Sequence, residues 1–412
     1  MNIQILAPTQ KAITQTKFKE YFEDSLFQII PFEQKLLNYL SSLSSHLIKR
    51  KESKLMPELM ALGFWLRRSN LEKIKKEFFL HAKKSVINKP RGVVFHIAPK
   101  NVDTIFIYSW ALSFLSGNHN IVRISSSGSS LISIILDEIS ALADTQEYDF
   151  INQTQSFLTY ARNDDINSFF SQIANVRMIW GGDETVSIFK QLKTKPNTKD
   201  ICFANKESIA CIKSSAYLKL DEERSLKVTE DFYNDSYWFD QMACSSPKFI
   251  FFMGSKKENI LCSSLFEKSL NRVLKKKDHY EDITASVSKL KNIFLAASKK
   301  NYLKSYDPAS YDKATFIDIN PEEFLNSTMK CQSGTFGKVF IEDIFDLDYV
   351  LKDNFQTLVY FGFSHSELEE FIHSNTKTSI DRVVPFGQAL NFDKTWDGHD
   401  LMNELVRHVN LI

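Results

Sequence analysis

Residues 93–126 read VVFHIAPKNVDTIFIYSWALSFLSGNHNIVRISS. Val93-Val94-Phe95-His96-Ile97 follows the punctuation Pro90-Arg91-Gly92 and is a short apolar run, which predicts a buried strand. Residues 101–115 predict a helix closed by Gly117, and residues 120–125 predict a second strand. A strand, a helix and a second strand within some thirty residues predict a βαβ unit and hence a parallel sheet.

The same alternation continues downstream. Helices are predicted over 131–143, 165–173 and 183–192, and strands over 156–161, 176–180, 201–203 and 209–212. Residues 213–361 predict a second α/β region, with a helix over 222–233, a loop carrying Cys244, a strand over 249–253 and a long amphipathic helical stretch over 266–300. Residues up to 89 show helical spacing, as in Leu36-Leu37-Leu40-Leu43, and the tail is rich in turns. The expected division is a helical segment 1–89, an α/β domain 90–212, a second α/β domain 213–385 that carries Cys244 and a tail 386–412.

The 412 residues are too many for one ordinary core. The net charge of +1 gives no field for nucleic acid. Five cysteines, with no C-x-x-C pair, predict neither a disulfide framework nor a zinc site and fit a reducing compartment, the cytoplasm. No signal-peptide pattern and no apolar run of membrane-spanning length is expected from the sequence. G-x-G-x-x-G, the Walker loop, G-x-S-x-G and H-E-x-x-H are all missing, so no metal is expected and a ligand must be held in another way.

Ligands of parallel sheets sit beyond the carboxyl ends of the strands. That singles out the loops Pro99-Lys100-Asn101, Ser125–Ser130 and Gly181-Gly182-Asp183. Asn101 stands where a helix N-cap belongs. Arg123 followed by Ser125 and Ser126 offers a cation and two hydroxyls suited to ribose or phosphate oxygens. Cys244 sits in a polar loop, Phe239-Asp240-Gln241-Met242-Ala243-Cys244-Ser245-Ser246-Pro247, ahead of a strand; a lone cysteine is by default an inert core residue.

Taken in order, HIAPKNVDTIFIYSWALSFLSGNHNIVRISS, FDQMACSSPK and IDRVVPFGQALNFDKTWDGHDL resemble the fatty acyl-CoA reductase family of the aldehyde dehydrogenase superfamily, whose best-known members supply aldehyde in bacterial bioluminescence. PELMALGFWLRRSN, from Pro57, resembles the family's N-terminal segment, so the resemblance runs from about Pro57 to Leu401. It implies an aldehyde-dehydrogenase-like α/β fold and the reduction of an acyl-CoA or acyl-protein thioester to a fatty aldehyde with NADPH, NADH not being excluded. It makes Cys244 the nucleophile and Asn101 the oxyanion partner. It places Pro99, Lys100, Arg123, Ser125, Ser126, Gly181 and Gly182 at the cofactor, and faintly likens Phe336–Val339 to a segment near the nicotinamide ribose. An acyl-transferring or acyl-protein synthetase partner and a homo-oligomer are implied as well.

One departure matters. Hydrolytic superfamily members carry a Glu base after the last cofactor-domain strand. Here that region reads Asp200-Ile201-Cys202-Phe203-Ala204-Asn205-Lys206-Glu207, without the usual Glu-Leu-Gly-Gly. The missing base fits acyl exchange with CoA, with Glu207 as a substitute candidate. The alternative readings are a CoA-independent aldehyde dehydrogenase and a non-catalytic, acyl-accepting subunit.

Overall fold

The structure is a computed structural model that describes residues 3–23, 29–80, 85–99, 103–124, 129–279, 283–298, 314–319, 331–351, 353–375 and 379–412. The chain forms two units. Residues 1–204 and 392–412 make one and residues 205–391 the other.

The first unit is built on β1 (Ile3–Ala7), β2 (Lys11–Ile13), β3 (Val86–Pro90), β4 (Val93–Ile97), β5 (His119–Arg123), β6 (Gln155–Thr159), β7 (Val176–Trp180) and β8 (Lys199–Phe203). Its seven-stranded sheet has the order β2-β1-β6-β5-β4-β7-β8. The strands from β6 to β8 run parallel, and β1 lies antiparallel on the β6 edge. All five residues of β4 are buried, because helices cover both faces of the sheet. Val94, Val122 and Phe157 face a core with the helices Gln34–Lys49, Ile105–Leu115 and Ser130–Ala143. Phe95, Ile121 and Leu158 face the opposite core with the helices Gln15–Glu23, Asp164–Ile173 and Asp183–Gln191. Gly117 ends its helix at φ +80°, and a Cβ there would lie 2.5 Å from the Ile29 carbonyl oxygen, so only glycine fits.

The second unit has six parallel strands, β9 (Glu207–Lys213), β10 (Pro247–Met253), β11 (Thr315–Asp318), β12 (Thr335–Ile341), β13 (Phe355–Phe361) and β14 (Arg382–Pro385), in the order β11-β12-β10-β9-β13-β14. Phe249 and Phe251 face a core closed by the helix His365–Ser374, and Ile250 and Phe252 face one closed by the helices Glu222–Tyr237 and Lys256–Lys276.

The α/β expectation holds, and four details are corrected. The segment 1–89 is not purely helical: Ile3-Gln4-Ile5-Leu6-Ala7 alternates with the period of a strand and extends the sheet. The strand 209–212 does not end the first domain, because β9 pairs with β10 and β13. The tail from Phe392 returns to the first unit, where Trp396, Leu401 and Leu405 join its core and the strand Val406–Asn410 pairs with β3. The stretch 266–300 is two helices, Lys256–Lys276 and Ile283–Ser298, interrupted where Asp278 takes φ +46°. Among the described residues no helix is long and apolar enough to cross a membrane.

Candidate active site

In the first unit β4, β5 and β6 step to one side, and the chain then returns to place β7 and β8 on the other side of β4. The reversal makes a topological switch point at the carboxyl ends of β4 and β7, where ligands of such sheets bind. Pro99 follows β4 and Gly181-Gly182 follows β7, so both predicted loops border it. Arg123 ends β5 in register with Ile97 of β4. Lys100, Asn101, Ser125 and Ser126 lie outside the described residues.

A buried polar chain fixes this edge. His96 Nε2 lies 2.9 Å from Asn120 Oδ1 and its Nδ1 2.9 Å from Ser109 Oγ. The Asn120 amide and the Trp110 indole both donate to Gln155 Oε1, each at 2.8 Å. Trp180 Nε1 donates to Ser109 Oγ at 3.2 Å. Burial pushes the His96 pKa down to about 4, so the ring stays neutral, with Nε2–H donating and Nδ1 accepting. The network joins β4, β5, β6 and β7 to the helix Ile105–Leu115 and holds Trp180 directly before the glycine turn. Trp180 stacks on Phe203 with centroids 3.6 Å apart. A Cβ on Gly181 would meet the Thr185 side chain at 2.9 Å, and Gly182 caps the helix Asp183–Gln191.

Arg123 lies over the Tyr160 ring, with its guanidinium carbon 4.6 Å from the centroid. Tyr160 is oriented by its hydroxyl, 2.8 Å from Asn167 Oδ1. The Arg123 Nε is buried and has no hydrogen-bond partner among the described residues. An orphaned guanidinium donor at a ligand-binding edge fits an anionic group.

Cys244 belongs to the second unit, in the loop between the helix Glu222–Tyr237 and β10. Asp240 and Gln241 take φ +46° and +63°, which is costly for residues other than glycine and persists only where the surroundings enforce it. Gln241 supplies that enforcement. Fully buried, it donates to the Pro247 and Thr335 carbonyls at 2.9 and 3.0 Å and accepts from Gly334 N at 3.0 Å. Ser208 Oγ donates to the Cys244 carbonyl at 2.7 Å and accepts from Thr357 N at 3.1 Å. Ser246 Oγ donates to the Asp235 carbonyl at 2.7 Å. Three side chains thus tie the Cys244 loop to β9, β10, β12 and the preceding helix. Sequence reasoning missed Gln241 and Ser208; the only signal was a Gln three residues before the cysteine.

Cys244 is half-buried, whereas Cys211, Cys262 and Cys331 are buried and burial pushes their thiols up, Cys262 and Cys331 to about 12. Cys202, half-buried within β8, is raised by the same cause. Lys248, on β10, has Cys244, Cys331 and Glu207 as its charged or ionisable neighbours. Phe336–Val339 lies inside β12, where Phe336 is fully buried and Gly337 packs so closely on the Phe249 ring that a Cβ would clash.

Asp235 is buried and accepts from Gly387 N at 2.7 Å and Ala389 N at 2.8 Å. Burial nevertheless raises its pKa to about 7. A carboxyl raised in the fold stabilises fully below its unfolded value of about 4, and that stability is lost as pH rises through about 7. The melting temperature is therefore expected to fall across that window, by the equivalent of at most about 4 kcal/mol. Asp235→Asn should flatten the dependence in thermal melts taken at a series of pH values; an unchanged slope would exclude Asp235 as its source.

A family model described as acyl-CoA reductase (LuxC) matches residues 2–408. Aldehyde dehydrogenase 21 from Physcomitrella patens, solved with the reaction product succinate, is similar at 12% identity and TM-score 0.70, over 100% of this chain and 94% of that one. Glyceraldehyde-3-phosphate dehydrogenase GapN from Methanocaldococcus jannaschii, solved with NADP, is similar at 12% identity and TM-score 0.66, over 97% and 95% of the two chains. An oxidoreductase from Marinobacter aquaeolei is similar at 10% identity and TM-score 0.70, over 100% and 94%. No protein with a curated description matches. At such identities the likeness is one of fold, and the fold is that of the aldehyde dehydrogenases.

Proposed function

We propose, from the premise that the chain belongs to the acyl-CoA reductase (LuxC) family, that it reduces a fatty acyl thioester to the aldehyde through an acyl-Cys244 intermediate, with NADPH as electron donor. The observation that carries the reading is the placement of Cys244: a half-buried cysteine in a braced, strained loop, while three of the other cysteines are buried. A structural thiol needs no such support.

The Cys244 thiolate attacks the carbonyl carbon of the thioester. A carbon–Sγ bond forms, the bond to the CoA sulfur breaks, and the departing thiolate takes up a proton. The resemblance assigns the oxyanion to the Asn101 side chain and the Cys244 N–H, and one such donor is worth about 3–4 kcal/mol. When bound, the nicotinamide supplies the hydride that brings the acyl carbon to the aldehyde level. Collapse of the thiohemiacetal oxyanion then breaks the carbon–Sγ bond and regenerates the Cys244 thiolate. The balance is one acyl thioester, one NADPH and one proton to one aldehyde, one free CoA thiol and one NADP⁺.

The residues of the first unit suit such a cofactor. Gly181 and Gly182 allow close approach at the switch point, and Arg123 holds an orphaned donor there. If Arg123 meets a 2′-phosphate, Arg123→Gln should weaken NADPH binding about 10- to 100-fold and leave NADH binding within about twofold, since a charge-assisted hydrogen bond is worth about 1.5–3 kcal/mol. Fluorescence titration of both cofactors checks this; equal weakening would deny Arg123 the phosphate.

The function is tested by mixing the protein with tetradecanoyl-CoA and NADPH and following cofactor oxidation together with the mass of the Cys244 peptide. Turnover with an acyl adduct on Cys244 is expected. An adduct without oxidation would favour the acyl-accepting subunit, and neither would sink the reading. Glu207 supports a second reading, because it shares the neighbourhood of Lys248 with Cys244. A carboxylate there would serve as a base for hydrolysing the acyl-enzyme, and aldehyde oxidation without CoA would show it.

A further inference from the structure

Pro247 of β10 pairs with Ser208 of β9, but Phe249 pairs with Ile209. Two steps on β10 thus match one on β9, and Lys248 is the extra residue of a β-bulge. Bulges break the alternation of side chains and re-aim one of them, and they gather beside active sites. Strict alternation would group Lys248 with Ile250 and Phe252, in the core behind Phe232 and Phe266. Yet its charge neighbours include Cys331, which belongs to the opposite core with Phe249 and Phe251. The other two are Cys244, four residues earlier in the chain, and Glu207, at the start of the neighbouring strand. Lys248 is half-buried, and among the described residues its ammonium has neither an ion-pair nor a hydrogen-bond partner. A half-buried cation with no carboxylate paired to it carries a desolvation cost that some other group must offset.

We propose that Lys248 is the positioning residue of the nucleophile: the bulge aims its ammonium so that the Cys244 side chain is held as a thiolate at neutral pH. The inference rests on the reading of Cys244 as the nucleophile. A thiol near a cation ionises more readily, because the opposite charge favours the charged form. A lysine buried by desolvation loses its proton more readily than a free one, and here the pKa is lowered to about 8. The ammonium therefore persists at neutral pH and its support fades above about pH 8. Glu207 and the Cys331 thiol are the other ionisable groups beside it, and of these the thiol, pushed up to about 12 by burial, stays neutral in this range.

The test is the rate at which neutral iodoacetamide alkylates Cys244, read from the mass of its peptide as a function of pH. The intact protein should show a midpoint below the value of about 8.5 of a free thiol. Lys248→Met should raise the midpoint by about one pH unit and slow alkylation at pH 7 about tenfold, and Lys248→Arg should restore most of both. A lysine with a merely structural role would not move the midpoint. A wild-type midpoint at or above that of a free thiol overturns the inference without any variant. So does a Lys248→Met midpoint equal to wild type. In either case, labelling of Cys244 by acyl-CoA shows whether the nucleophile itself still stands; its absence would sink both readings together.

Discussion

Cys244→Ala is expected to lower acyl-CoA-dependent NADPH oxidation by a factor on the order of 10⁴ or more, and to abolish acyl labelling at that position. The expected effect is large because, in the proposed mechanism, Cys244 expels CoA by forming its own carbon–Sγ bond and later releases the aldehyde by breaking it. The fold should tolerate the change. Ser208 binds the Cys244 carbonyl, which alanine retains, and Gln241 and Ser246 hold the loop through other atoms. The half-buried thiol itself contributes little to the core. Melting temperature and circular dichroism should therefore stay close to wild type while the rate disappears. Residual activity at a tenth of wild type would remove Cys244 from the mechanism.

The sheet of the first unit was legible because its strands are local apolar runs separated by helices with clear stops. Val176–Trp180 appears where the pattern puts it, and Gly117 ends its helix for a reason visible in the sequence. What was not legible depends on partners far along the chain. Nothing in residues 201–213 says that β8 and β9 belong to different sheets, because both are short apolar strands and only pairing tells them apart. Phe392 and Leu401 look like loop residues until the core of the first unit receives them. The site shows the same split. Cys244, Arg123 and the glycine turn could be read from motif and position. Gln241 and Ser208 could not, because their roles lie in bonds to β12 and to the Cys244 carbonyl. Lys248 was equally hidden, since a bulge is a property of two strands in register and not of either sequence.

The edge that carries Gly181 depends on one ion pair, and Asp200→Ala is expected to cost about 3–5 kcal/mol. Arg177 of β7 is almost fully buried and faces Asp200 of β8 in register. Its Nε and one terminal nitrogen reach the two carboxylate oxygens at 2.7 and 2.5 Å, and the other terminal nitrogen donates to Ser171 Oγ and the Phe189 carbonyl. Every branch of the guanidinium is thus used, with Arg177 buried and Asp200 partly exposed. Removing the carboxylate leaves a buried cation with only Ser171 Oγ and the Phe189 carbonyl to offset its desolvation, and the melting temperature should fall by about 10 °C in a calorimetric scan. Replacing both partners, Arg177→Met with Asp200→Leu, removes the charge along with its counter-ion. The double variant is expected to be more stable than Asp200→Ala alone, because apolar side chains of similar volume incur no desolvation cost. If Asp200→Ala costs less than about 1 kcal/mol, the pair behaves as a surface salt bridge and does not anchor the strand. If it costs the expected amount and the double variant recovers it, the penalty lies in the orphaned charge, and the pair sets how β7 and β8 register rather than how stable they are.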